Sequence, residues 1–527
     1  MMKVLITEEM DNAGIEVFQN QGGLGVDVKP GLSSEELLEI IKHYDALVIR
    51  SQTRVTQRLL DAADNLKVIA RAGAGLDKVD IDAATTKGVA VMNTPGGNNV
   101  TTAEHAIAML MALSRNIPRG TESLKAGKWE KTSLSGREIC NKTLGVIGYG
   151  NVGAVVAALG KGLRMKVIVA DPNISSKHIE KEGYEYVSLE ELYAQSDYIS
   201  LHVPRLDSTI DLLDMEAFEA MKDGVMLINC ARGGIVNEAA LYEALQSGKV
   251  AGAALDVFST EPPGDHPLLE LDQVIATPHI GAATREAQSS VAVAAANQVI
   301  SYLFEGTVIN AVNVPSVSGE ILKQLGPFLY LCEKMGKMQA QINAGGIREV
   351  NLEYIGQFPD FDLKPVTIAG LKGMINEFAP YEVNAVNAVT RANDIGIKIT
   401  ESTSREAGNF LNLIRMTVVT DDGTNIVEGT IFGKDDARIV RINKFRLEII
   451  PKGHLGLIHN VDKPGSIGSI GIALGEHNIN ISRMMVGREE DGQRNIIFLR
   501  TDTPVPQDVV EKIESLPLVV TMKTFEL

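Results

Sequence analysis

The element that most restricts how this chain can fold is a strand, a glycine turn and a helix in direct succession near residue 150. The apolar run TLGVI, at 143–147, leads into Gly148-Tyr149-Gly150-Asn151-Val152-Gly153; a helical pattern follows, and Asp171 ends the next apolar run, KVIVAD. A Gly-x-Gly-x-x-Gly string alone is a weak signal. A strand before it, a helix after it and an acid about 20 residues further on complete a dinucleotide-binding fingerprint. The glycines permit the tight turn and let amides at the helix start approach a pyrophosphate, where the helix dipole favours negative charge. Gly148, Gly150, Asn151, Val152 and Gly153 are therefore candidate cofactor contacts. Asp171 is placed to accept from both ribose hydroxyls and to repel a 2'-phosphate, so the expected cofactor is NAD rather than NADP.

Strand-like runs alternate with helical patterns on both sides of this turn, as in a parallel sheet with crossover helices. From the amino terminus KVLIT, DALVIR, KVIARAG and GVAVMNT read as strands, and a long apolar helix spans roughly Val100 to Arg115. A second series of six strand candidates runs from TLGVIGYG through KVIVAD, YISLHVP, VMLINCARG and AGAALDVF to VIATPHIG. The expected class is α/β with two doubly wound parallel sheets. An alanine-rich helix, roughly Arg285 to Leu303, precedes VINAVNVPSVSG, which reads as a strand and then a linker. Residues from about 320 to 452 read as an α+β module without a catalytic motif. The remainder, with a DG turn before QRNIIFLRTD, gives the order βαββαβ of a ferredoxin-like unit.

At 527 residues the chain exceeds the ~250–300 at which single cores stop growing, so several domains are expected. A formal charge of −17 argues against nucleic acid or an anionic membrane as a general partner, so any anion site must be a local basic pocket. MMKVLITEEM runs from a strand into an acidic patch without the order of a secretion signal, and no run is long enough to span a bilayer. Cys140, Cys230 and Cys332 are too dispersed for a disulfide framework or a zinc site, which points to a reducing cytoplasm and no metal.

Open α/β sheets bind ligands beyond the carboxyl ends of their strands, and three such ends carry reactive groups. Asn229-Cys230-Ala231-Arg232-Gly233-Gly234 places a guanidinium among small residues, suited to a bidentate carboxylate contact. Asp256-Val257-Phe258 leads to Glu261-Pro262-Pro263, and Thr277-Pro278 leads to His279. An imidazole suits proton transfer at a hydroxyl near neutral pH, and a glutamate on its second nitrogen would fix the tautomer.

NTPGGNNVTTAEH, VIGYGNVG, NCARGGIV, AGAALDVFSTEPP and TPHIGAATREAQ together resemble the D-isomer-specific 2-hydroxyacid dehydrogenases, densely over about the first 315 residues. Within that family they look like the branch that oxidises 3-phospho-D-glycerate at the head of L-serine synthesis. The resemblance puts the catalytic trio on Arg232, Glu261 and His279. It puts the nicotinamide surroundings on Val203, Cys230, Ala231, Asp256, Gly281 and Ala282, and substrate contacts on Arg50, Ser51, Arg71, Gly73 and Asn98. Two arginines there would balance a phosphate dianion. The family often has arginine two residues after a tryptophan; here Trp129-Glu130-Lys131 keeps the charge and loses the fork. The implied domains are 1–98 with 284–313 for substrate, 99–283 for NAD, 314–452 resembling an intervening allosteric substrate-binding domain, and 453–527.

Asp462-Lys463-Pro464-Gly465 and Asn478-Ile479-Asn480-Ile481 make the last unit similar to ACT domains, which take amino acids at subunit interfaces. The resemblance implies L-serine as effector, Asn460, Asp462 and Asn480 as its contacts, and a homo-oligomer, dimer or tetramer. Two alternatives stay open: a dehydrogenase for another D-2-hydroxy acid, and a nucleotide-sensing protein like the corepressors that share this fold.

Overall fold

The computed structural model describes residues 1–315, 319–343, 345–358, 362–406, 408–488 and 494–527. The Asp491-Gly492 turn expected before QRNIIFLRTD lies outside the described residues, as does part of the 314–319 linker.

The first sheet is parallel, with spatial order Leu24–Val28, Met2–Ile6, Ala46–Ile49, Val68–Arg71, Ala90–Asn93. A parallel sheet with crossover helices buries both faces, so its strands must be apolar on both. Val4, Ile6, Val48, Ala70 and Met92 enter one core while Leu5, Leu47, Ile49, Ile69 and Val91 enter the other. The strand Leu24–Val28 went unread in the sequence: LGVDV is an edge strand with only Leu24 buried.

The second sheet, also parallel, has the order Val274–Ala276, Val250–Leu255, Val225–Asn229, Tyr198–Leu201, Thr143–Ile147, Lys166–Ala170, Glu185–Tyr186. The six expected strands are all present, and the two-residue edge strand Glu185–Tyr186 is additional. The strand order reverses beside Thr143–Ile147, which places the crevice where the glycine turn leaves the sheet. The helix Asn99–Ser114 links the two sheets, and Arg285–Ile300 returns to the first, seating Val291, Ala292, Ala295, Ala296 and Val299 against Val4, Ile6 and Met92. Its alanines permit close approach: a Cβ on Gly14 of the neighbouring helix would lie 2.8 Å from the Ala292 backbone. Beyond Ile300 the helix widens into a π turn over Ser301–Glu305. VINAV, read as a strand, forms isolated bridges at Val308 and Ala311, the latter with Met92, and no ladder.

A six-stranded mixed sheet follows, ordered Lys398–Ser404, Ile347–Gly356, Asn412–Thr420, Gly423–Phe432, Asp436–Ile442, Phe445–Ile449 and packed under the helices Gly319–Ile342 and Lys364–Ile375. RIVRINKFRLEII is thus two strands folded at Asn443, not one. The last sheet, Ile481–Arg488, Arg494–Thr501, His454–Val461, Val519–Glu526, is antiparallel with two helices on one face, the ferredoxin-like arrangement. Its other face joins the third core through Leu455, Leu457, Ile496, Phe498 and Phe525. The third unit also touches the first: Asn384 Nδ2 donates to Gly88 O at 2.8 Å and Arg391 to Thr86 O at 2.8 Å.

Candidate active site

Arg232, Glu261 and His279 follow three neighbouring strands of the second sheet, so the sheet itself carries them to one edge. They face Arg50, Ser51, Arg71, Gly73 and Asn98 across a cleft of about 1360 Å³. Val203, Cys230, Ala231, Asp256 and Ala282 line the same cleft, with Asn151 and Val152 at the helix start. That volume exceeds the ~300–1,000 Å³ of an ordinary ligand site and suits two ligands side by side.

His279 Nδ1 meets Glu261 Oε2 at 2.8 Å. That contact leaves Nε2 for a substrate hydroxyl and sets the tautomer. His279 sits at φ 54°, an unusual conformation for a histidine, and its N–H donates to Asp256 O at 2.9 Å. The Asp256 carboxylate holds the rest of this turn, accepting from Thr277 Oγ1 at 2.6 Å and from the amides of Ile280 and Gly281 at 2.8 Å each. His105 Nε2 lies 3.4 Å from the same carboxylate and 3.1 Å from Thr277 Oγ1. Burial alone would raise the Asp256 pKa, but the hydrogen bonds from His105, Thr277, Ile280 and Gly281 together hold it below the ordinary range. The carboxylate expected beside the nicotinamide is therefore also the clamp of the histidine turn. Cys230 is buried, and burial with Asp256 nearby pushes its thiol far up, so it stays protonated.

Arg232 is set by its neighbours. Asn229 donates to Arg232 O at 3.1 Å and accepts from Ala231 N at 3.0 Å, and a Cβ on Gly233 would lie 1.8 Å from Phe258 O, so that position admits only glycine. The Arg232 guanidinium pairs with Asp77 at 3.3 Å across the cleft, and Arg71 lies beside it. Burial and then the Arg232 charge lower the Arg71 pKa, partly offset by Asp77 and Glu8. Two guanidinium groups pressed together in this way form a strong site for an anion. Arg71 Nε donates to Arg50 O at 2.7 Å, and the Arg50 guanidinium to Glu9 O at 2.7 Å.

The dinucleotide turn fits its expected load. Gly148 has φ 91° and a Cβ there would strike His202 O at 2.6 Å; a Cβ on Gly153 would lie 1.9 Å from Gly148 O. Gly150, by contrast, faces open space, and the 12-residue helix Asn151–Gly162 starts there without a side-chain cap. Its first amides are thus exposed where a pyrophosphate would lie. Asp171 accepts from Tyr149 N at 2.7 Å, Asn173 N at 2.8 Å and Ile174 N at 3.1 Å, so it braces the turn. His202, unread in the sequence, also lines the cleft; burial takes its pKa down to about 3, so its imidazole is neutral.

Lys131 is not brought to this cleft: it is exposed in the segment after the helix Ile117–Lys125, beside the exposed Trp129. In the last sheet Asn460 is buried, donates to Ser466 Oγ at 2.7 Å and leaves Oδ1 without a partner among the described residues. Asp462 accepts from Asn495 Nδ2 at 3.0 Å. Asn480 precedes the strand Ile481–Arg488, two places away in the sheet and at its opposite end, and is bonded to Asp502 at 2.6 Å, so one chain does not assemble all three.

Residues 107–281 match the NAD binding domain of the D-isomer specific 2-hydroxyacid dehydrogenases. A D-lactate dehydrogenase from Aquifex aeolicus, solved with NAD and lactic acid, superposes on 59% of this chain and 100% of its own, at TM-score 0.53 and 30% identity. A glyoxylate reductase superposes over 59% and 98%, at TM-score 0.55 and 31% identity. Fold and strand-end residues together make the protein a D-2-hydroxyacid dehydrogenase of the NAD-binding kind.

The carboxyl-terminal half narrows this further. Residues 324–443 match the D-3-phosphoglycerate dehydrogenase intervening domain and 457–518 the ACT domain. The D-3-phosphoglycerate dehydrogenase of Archaeoglobus fulgidus is 43% identical over 100% of both chains, and that of Bacillus subtilis 37% identical over 100% of both. The chain belongs to the D-3-phosphoglycerate dehydrogenase family.

Proposed function

We propose that this protein oxidises 3-phospho-D-glycerate to 3-phosphohydroxypyruvate with NAD, the first step of L-serine synthesis, under feedback by serine. The observation that carries this is the pairing of His279 and Glu261 opposite a cluster of Arg232, Arg71 and Arg50 in one cleft. Arg232 takes the substrate carboxylate and orients the 2-carbon. His279 Nε2 removes the hydroxyl proton, and Glu261 stabilises the imidazolium that results. The bound nicotinamide supplies the hydride acceptor. Arg50 and Arg71 receive the phosphate, with Ser51, Gly73 and Asn98 completing that wall.

The domains divide as 1–98 with 284–313, 99–283, 314–452 and 453–527. Serine binds between two copies, with Asn460 and Asp462 from one and Asn480 from the other, which requires a homo-oligomer, a dimer or tetramer. Three unpaired cysteines accord with a cytoplasmic setting. Reduction of NAD is followed at 340 nm, about the NADH maximum, on 3-phospho-D-glycerate, D-glycerate and D-lactate, with product removed and serine titrated. Oxidation of the phosphorylated acid at least tenfold more efficiently than the others supports the substrate reading; preference for an unphosphorylated acid defeats it. Activity indifferent to serine defeats the effector reading alone.

A further inference from the structure

Glu8 follows the first strand and is 7% exposed, yet among the described residues no cation pairs with it directly; its carboxylate is enclosed by backbone amides. Oε1 accepts from Arg50 N at 2.9 Å and Thr53 N at 3.0 Å, and Oε2 from Ser51 N at 2.9 Å and Gln52 N at 3.0 Å. Four successive amides converging on one point form an anion nest, the kind of concavity that elsewhere binds phosphate. The chain fills this nest with its own carboxylate. Burial opposes the charge, but the four amides outweigh it and keep the Glu8 carboxyl below the usual range.

The loop so held is the one that carries Arg50 and Ser51 into the cleft. Its other attachments converge on the same segment: the Arg50 guanidinium donates to Glu9 O at 2.7 Å, Arg71 Nε donates to Arg50 O at 2.7 Å, and Thr7 Oγ1 meets Thr53 Oγ1 at 2.8 Å. Removing the Glu8 side chain would leave four donors aimed at an empty point, and removing its charge alone would strand some of them; unsatisfied buried donors drive a loop to rearrange. Both arginines facing the distal end of the substrate depend on that backbone.

We propose that Glu8 is a positioning and specificity-determining residue. By filling the nest at 50–53 with a permanent carboxylate it fixes Arg50 and Ser51 for the anionic group at carbon 3 of the substrate, and denies that nest to the substrate's phosphate. It touches neither substrate nor cofactor. The inference rests on the reading of Arg50 and Arg71 as the phosphate side of the cleft, and deepens it by adding the residue that sets their geometry.

The test compares wild type, Glu8→Gln, Glu8→Ala and Glu8→Asp on 3-phospho-D-glycerate and D-glycerate, with NAD affinity measured separately by fluorescence. Glutamine keeps the shape, but its single oxygen can serve only part of the nest. The expected result for Glu8→Gln is a KM for the phosphorylated acid raised about tenfold or more, kcat within about threefold, NAD affinity unchanged and kcat/KM on D-glycerate within about threefold. Glu8→Ala leaves room for an external carboxylate, so acetate or formate restores the low KM where chloride at equal ionic strength does not. A residue that is only structural gives no such rescue. Glu8→Asp retains the charge and falls between wild type and Glu8→Gln, which keeps the comparison open should the larger changes prevent folding.

Equal losses on both substrates, an unchanged KM in Glu8→Gln or in Glu8→Asp when that is the only folded variant, or failure of carboxylates to rescue Glu8→Ala would each overturn the proposal. A wild-type enzyme that does not oxidise 3-phospho-D-glycerate would instead remove the substrate reading on which it stands.

Discussion

Asp256→Asn isolates the clamp under His279, the proposed catalytic histidine, with almost no change of shape. The carboxylate is 1% exposed and accepts at one oxygen from Thr277 Oγ1 and Ile280 N and at the other from Gly281 N. An amide keeps one acceptor and turns an NH2 group toward a donor. With its nitrogen toward Gly281 that N–H loses its partner; flipped, Ile280 loses its own, while the Thr277 hydroxyl can rotate to accept. Either way one buried N–H is stranded, at about 1–3 kcal/mol, and the surviving bonds lose the charge that roughly doubles their strength. The total is about 2–4 kcal/mol. If the turn relaxes to escape this cost, His279 leaves its φ of 54° and kcat falls by about 30-fold or more; if the turn holds, the loss appears as stability. The assay is kcat beside chemical unfolding at several pH values. Because the Asp256 pKa is held low in the folded protein, its stabilisation is present above the unfolded-state value near ~3.9 and is lost as pH falls through the folded value. The gap between wild type and variant should therefore be full at neutral pH and shrink below about pH 4. A variant with unchanged kcat and stability at neutral pH, or a gap that does not vary with pH, would refute the clamp.

His279→Ala lowers kcat by at least ~10²-fold with NAD affinity retained, since general acid-base catalysis contributes ~10²–10⁴; near-normal turnover would remove its role. Arg232→Lys keeps the charge and the backbone geometry set by Asn229 but loses the fork, so KM rises and kcat falls together; a change confined to thermal stability would mark it as structural. Asp171→Asn weakens NAD and lets NADP compete, and also costs stability because three amides lose their anionic acceptor; unchanged selectivity would leave Asp171 only a brace for the turn.

What the sequence disclosed were groups whose proposed roles follow from where each stands at a strand end. Arg232, Glu261 and His279 each stand just beyond a strand, and strand ends on one parallel sheet share an edge, so their meeting could be inferred before any contact was known. The supports could not be. His105 and Asp256 are brought together by the helix Asn99–Ser114 crossing the second sheet, a contact with no local signature. Glu8 was read as part of an acidic patch, because nothing in TEEM distinguishes a solvated glutamate from one inside a nest of amides 42 or more residues away. Asn480 illustrates a different limit. Its motif was visible, but the register of the antiparallel sheet sets it far from Asp462 in the same chain.

The link from the carboxyl-terminal half to the cleft can be followed bond by bond. Arg391 donates to Thr86 O at 2.8 Å and Asn384 to Gly88 O at 2.8 Å, so the third unit satisfies a carbonyl in the last turn of the helix Ile81–Lys87 and that of its cap residue. These are acceptors a helix cannot satisfy within itself. The same helix begins at Asp80, directly after the loop that presses Gly75 and Asp77 against Arg71 and Arg232. A short helix held at both ends can pass a displacement on, so movement of the 384–391 segment would reach the loop beside Arg71 and Arg232, the proposed carboxylate side of the cleft. Such a link regulates only when an effector favours one arrangement over another. Arg391→Ala removes the bond to Thr86 and the stacking over Tyr381, where the guanidinium lies 4.4 Å from the ring centre. Given serine inhibition, the variant should keep its uninhibited kcat within about twofold while its midpoint for serine rises about fivefold, equivalent to ~1 kcal/mol of lost coupling. A midpoint unchanged in a folded, active variant would show that the signal reaches the cleft by another path.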